Sequence, residues 1–201
     1  SVQGTTYMVA GVELEGVPGG VVIRNNYISV QNAGTRDTAG IWTPSSANCT
    51  FSNNTVIING TTATSCGFAL YAGPYQVYNN IVVGNGYGSA YADSGTSSTT
   101  TIDYNLQFRF VTNTVGGATD GGHNMVYDMT NPFTAGVFVS GSLDTNVADG
   151  DSTNIHLVDA GNYAVNKGTD TSSTALGGVT DDIDGESRPK GGAFDVGADE
   201  K

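Results

Sequence analysis

Positive charge is what this chain most lacks. Lys and Arg total 7 against 19 Asp and Glu, for a net charge of −12. A phosphate-binding surface needs clustered Lys and Arg, so nucleic acid is excluded as a partner, and an anionic membrane surface with it. Charged residues of either sign make up only 13%, about half the usual share. Leucine occurs six times and Glu, Lys and Arg are few, so the residues that favour helices are scarce. No apolar run approaches the ~18 residues of a membrane-spanning helix. Two cysteines cannot make a disulfide-dense scaffold.

Val, Thr, Tyr, Ser and Asn are there instead, with 29 Gly. That balance predicts an all-β chain, and 201 residues are enough for a sizeable core. The acidic side chains suit calcium or plain solubility. Ser1 stands where a Met would open an unprocessed chain, and no signal peptide follows it. The expectation is a mature segment of a secreted or cell-surface protein. In that setting Cys49 and Cys66 are either one disulfide or two buried thiols. Asn48-Cys49-Thr50, Asn53-Asn54-Thr55 and Asn59-Gly60-Thr61 are sequons, of a kind that a Thr- and Asn-rich chain also produces by chance.

The main pattern is a repeat. "RNNYI", "SNNTV" and "YNNIV" place Asn25-Asn26, Asn53-Asn54 and Asn79-Asn80 between apolar flanks, and Asn105 continues the series. From the second Asn of each pair the steps are 28, 26 and 25 residues. Ile23, Phe51, Val77 and Ile102 stand three before the marker, and Ile28, Val56 and Val82 two after it; Gln107 breaks that position at the fourth unit. Gly11, Gly40 and Gly67 form a second marker in step with the first. Two markers with one period in the twenties predict a β-solenoid of about four coils. The asparagines then read as corner residues, which tolerate a left-handed backbone and stack into a hydrogen-bonded ladder between coils ~4.8 Å apart.

These units resemble the right-handed parallel β-helix of pectate-lyase-like proteins. Further on, "IDYNLQF", "GGHNMVYDMTNPF", "NIHLVDAGNYAVNKGTDT" and "DDIDGESRPKGGAFDVGADE" follow in order. That order is similar to the C-terminal region of secreted bacterial β-helix proteins of the choice-of-anchor Q type. Its most specific part is Asp184-Gly185, Arg188-Pro189, Asp195, Gly197 and Glu200. The resemblance implies a cell-surface or secreted β-helix. It divides the chain into coils over 1–112 and a capping or anchor-type β region over 113–201.

Chemistry is thinly provided for. Lyases of this fold use acidic residues to hold Ca²⁺ and an Arg or Lys as base, but Arg24 and Arg109 have no acidic cluster beside them. A glycosidase needs two facing carboxylates, and the coils supply almost none. His123 and His156 belong to no nucleophile motif, so no catalytic residue is assigned. Calcium has two candidate loops, Asp144, Asn146, Asp149 and Asp151, and Asp181, Asp182, Asp184 and Glu186. For the second, the structural alternative is Asp184 capping a turn and pairing with Arg188. Trp42, Tyr71, Tyr75 and Tyr78 could stack on sugar or simply fill space around the coil.

The expectation is therefore a non-catalytic structural or adhesive β-helix of the cell exterior. Open solenoid ends expose strand edges, and no capping helix is evident before Gly11. Self-association head to tail into a surface polymer is the implied partnership. The alternative is a polysaccharide-binding or lyase-like module.

Overall fold

The computed structural model describes residues 8–32, 34–46, 48–93, 99–127, 132, 137–140, 154–158 and 162–201. Three parallel sheets of five strands each wind around a common interior. The first contains β1 (Val9–Glu13), β4 (Thr38–Thr43), β7 (Cys66–Leu70), β10 (Ser89–Asp93) and β13 (Thr112–Gly116). The second contains β2 (Val22–Arg24), β5 (Cys49–Ser52), β8 (Tyr75–Tyr78), β11 (Thr101–Asp103) and β14 (Thr119–Asp120). The third contains β3 (Tyr27–Gln31), β6 (Thr55–Asn59), β9 (Ile81–Val83), β12 (Leu106–Phe108) and β15 (Met125–Tyr127). Each rung takes one strand from each sheet, and four turns join five rungs. This is the expected all-β parallel solenoid.

Strand register stacks the repeat positions in columns. Ile23, Phe51, Val77 and Ile102 pair in succession, as do Ile28, Val56, Val82 and Gln107. The columns face inward and are packed with aromatic rings: Phe68 lies 5.6 Å from Phe51 and stacks on Tyr91 at 5.3 Å. Gln107 is buried in this column too. The glycine marker has a steric cause rather than a torsional one. A Cβ on Gly40 would lie 2.2 Å from Val56 Cγ1, and one on Gly67 2.2 Å from Val82 Cγ1. Glycine there lets the first sheet approach the branched side chains of the third.

The third sheet is apolar on both faces. Ile57, Ile81, Val83, Leu106 and Phe108 point outward into a second cluster with Val137, Phe138, Ile155, Leu157, Ala164, Val196 and Ala198. Those partners come from the antiparallel pair β16 (Phe138–Ser140) and β17 (Asn154–Leu157) and from the C-terminal tail. One 3-10 turn, Thr174–Leu176, lies in the tail. Among the described residues no helix is long and apolar enough to cross a membrane.

The two cysteines are free and buried, the second of the two alternatives. Cys49 belongs to the interior cluster, whereas Cys66 packs with Ala39 and Ala69 outside the first sheet. The sheet itself separates the two sulfurs. Burial pushes the Cys66 thiol up to about 12, so it stays protonated and inert.

Candidate functional site

The two asparagines of each pair do different work. The second one builds the ladder. Asn26 donates through N and Nδ2 to Asn54 Oδ1, both at 3.1 Å. Asn54 does the same to Asn80 Oδ1 at 3.0 and 2.9 Å, and Asn80 to Asn105 Oδ1 at 2.8 and 2.9 Å. Asn105 continues to Asn124 Oδ1 at 3.0 Å. Asn124 is a rung that the sequence reading missed. Its step from Asn105 is 19 residues, shorter than the earlier ones, so a search at constant period passes over it. From Asn54 on, each Nδ2 also reaches a carbonyl one rung back, for example Asn80 to Phe51 O at 3.0 Å, whereas Asn26 Nδ2 turns to Arg24 O on its own rung at 2.7 Å.

The first asparagine turns the corner. Asn25, Asn53 and Asn79 have φ of 53°, 54° and 54°, a left-handed conformation that Asn accepts more readily than most residues. This geometry leaves the side chain free to hold the tail. Asn79 donates to Thr169 O at 2.7 Å and accepts from Thr169 N at 2.8 Å. Asn53 accepts from Thr171 Oγ1 at 2.8 Å and donates to Asp195 O at 3.3 Å. Asn25 donates to Asp181 O at 2.5 Å. At the fourth rung Tyr104 takes the same corner with φ 56°. The ring of His123, rather than the tail, stacks on it at 4.4 Å. His123 Nδ1 lies 3.1 Å from Asp103 Oδ2.

Arg188 ties the tail to itself. Its five N–H donors all find acceptors: Nε gives to Asp181 O, Nη1 to Glu200 Oε2 at 2.8 Å and Asp195 O, and Nη2 to Gly197 O and Asp199 O. The Arg188 and Glu200 side chains are both 0% exposed. Asp195 accepts from Asn166 N at 2.6 Å and Lys201 N at 2.7 Å. Burial is the main influence on the Asp195 and Glu200 carboxyls and pushes both up, while Arg188 pulls the other way.

The DDIDGE turn differs from both readings of it. Asp182, not Asp184, caps the turn, its Oδ1 accepting from Asp184 N at 3.0 Å and Glu186 N at 2.7 Å. The carboxylate partner of Arg188 is Glu200 rather than Asp184. Glu186 pairs with Lys190. Asp181, Asp182, Asp184 and Glu186 do not form one cluster of metal ligands among the described residues: the turn takes up Asp182, and Lys190 takes up Glu186. Asp184 instead meets His156 and Asp199. Asp144, Asn146, Asp149 and Asp151 lie outside the described residues.

The aromatic set also divides. Trp42 and Tyr71 line a cleft of about 220 Å³ outside the first sheet, with Met8, Asp37 and Pro44. Tyr75 does not join them. It is buried inside the solenoid, where its hydroxyl donates to Ser46 O and accepts from Thr43 Oγ1 at 2.8 Å. Tyr78 sits half-buried on the second sheet between Ser52 and Asp103. No family model, curated protein or solved structure matches the chain.

Proposed function

We propose that this chain is a non-catalytic structural or adhesive module of the cell exterior, a β-helix of the pectate-lyase-like, choice-of-anchor Q kind, that stacks head to tail on further copies of itself. The observation that carries the reading is the polarity of the asparagine ladder. Every rung donates to the side-chain carbonyl of the next, so the first rung is left with an acceptor and the last with a donor. Asn26 Oδ1 has no donor, and Asn124 N no acceptor, among the described residues. The last rung of one copy matches the first rung of another. Strand edges agree: β1, β2 and β3 each end a sheet and are half-exposed, whereas β5 and β6 are buried throughout. A heterologous contact of this kind propagates into a filament.

Negative-stain microscopy and sedimentation at rising concentration, with calcium present, test the reading. Filaments or concentration-dependent growth are expected, and Val12→Lys at the rim of the first rung should abolish them. Dispersed monomers at every concentration would overturn it. A second reading, a polysaccharide-binding or lyase-like module, is favoured by the cleft of Trp42, Tyr71 and Asp37. It predicts binding across a glycan panel that Trp42→Ala removes, and turnover would appear as unsaturated or reducing ends.

A further inference from the structure

β17 brings one side chain to the tail that packing does not require. Ile155 and Leu157 are buried in the outer cluster, so strand alternation turns His156 the opposite way. Its side chain is 42% exposed. There Nδ1 lies 3.0 Å from Asp199 Oδ1 and 3.2 Å from Asp184 Oδ2. The three atoms lie within 4.8 Å of one another.

A ring nitrogen carries at most one proton and can point it at one acceptor. Two carboxylates drawn up to the same nitrogen offer it one acceptor more than a single linear N–H can serve. Tetrahedral ligands about 2.1 Å from a shared divalent ion sit about 3.4 Å apart. The two approaches to Nδ1, at 3.0 and 3.2 Å, lie a little inside that spacing, so small side-chain adjustments would admit an ion. We infer that His156, Asp184 and Asp199 form a binding site for a borderline divalent cation of the zinc class. The imidazole argues against calcium or magnesium, which take oxygen ligands almost alone.

The surroundings suit the role. Asp199 is buried, and its second oxygen accepts Leu157 N–H at 2.7 Å, which fixes the carboxylate as outer hydrogen bonds fix metal ligands generally. Asp184 sits on the turn that Asp182 holds closed, and its side chain is 47% exposed, so an ion has a path in. Ligation through Nδ1 puts the imidazole proton on Nε2. The bound ion would join β17 to two points of the tail, fastening the C-terminal region over the third sheet.

The test uses the full chain stripped with EDTA and titrated with ZnCl₂ by calorimetry, with metal analysis after dialysis. One zinc per chain is expected, with a higher melting temperature. Asp184→Asn should weaken binding at least tenfold, and His156→Gln should remove it together with the thermal shift. Asp184 is half-exposed, so its variant decides the matter if His156→Gln fails to fold. Absence of stoichiometric zinc, or zinc binding that survives both substitutions, would overturn the site.

Discussion

Two apolar cores lie on opposite faces of the third sheet and are built by different rules. The inner one is made of columns: the same kind of residue recurs rung after rung, and each neighbour is a copy of the last. The outer one is assembled once, from Ile57, Val83 and Leu106 on the sheet against Phe138, Leu157 and Val196 from β16, β17 and the tail. A column tolerates little, because one altered residue disturbs the rungs above and below. A single seam can fail without undoing the stack behind it. The asparagine pairs carry both rules side by side, the second residue serving the column and the first serving the seam.

That contrast predicts a graded set of outcomes. Asn80→Ala should have the largest effect. It strips a buried acceptor from Asn54 and removes donors to Phe51 O and Asn105 Oδ1, a loss of about 4–5 kcal/mol. Global unfolding in urea should shift accordingly. A shift below 1 kcal/mol would mean that the ladder is ornamental. Arg188→Met leaves Glu200 buried without its cation and four tail carbonyls without that donor, at about 3–4 kcal/mol. Limited proteolysis should cut this variant within 162–201 while the coils persist. Gly67→Ala forces a methyl into Val82, at about 2–3 kcal/mol. Val82→Ala in the same chain should recover only part of that, because the methyl also meets Ala90 O at 2.7 Å; full rescue would break the account in which the neighbouring strand as well as Val82 excludes a side chain.

Asn79→Ala sharpens the comparison most directly. It loses two bonds to Thr169 and places alanine at positive φ, about 2 kcal/mol in all. Hydrogen exchange should rise around Thr169 and leave the rungs protected. Equal exposure of rungs and tail would show that seam and column are one unit. The smallest effect concerns pH. Burial raises the Glu200 carboxyl above its ordinary range, so its contribution to stability is present below that range and lost as pH rises through the raised value. Relative to wild type, Glu200→Gln should therefore gain as pH moves from about 4 to about 7, as read by denaturant midpoints.

The column was legible because repetition announces it. Asn26, Asn54, Asn80 and Asn105 and the glycine marker point to stacked parallel coils and to their corners from sequence alone. Asn124 was lost because the last loop is short. The seam repeats nothing, and its contacts join residues more than a hundred positions apart, such as Asn53 and Thr171. One local signal did exist. "VII" at 56–58 and "IVV" at 81–83 are unbroken apolar runs, where a strand facing water would alternate, and such runs mark a sheet covered on both faces. Asp184 was given Arg188 as its partner, a place that Glu200 takes. The turn that orients it is held by Asp182, and proximity in sequence hid the convergence with His156 and Asp199.

The corner residues have one more implication. Asn25, Asn53 and Asn79 are bound by Asp181, by Thr171 and Asp195, and by Thr169. A tail with contact points at fixed intervals across three rungs behaves as a gauge. Whole rungs could be duplicated or lost from the solenoid without offending the ladder, which meets the same neighbour wherever it is cut. The gauge would register such a change at once, because its contacts would fall out of step. Among the first three rungs, spacing is therefore set by the tail that spans them as well as by their own stacking.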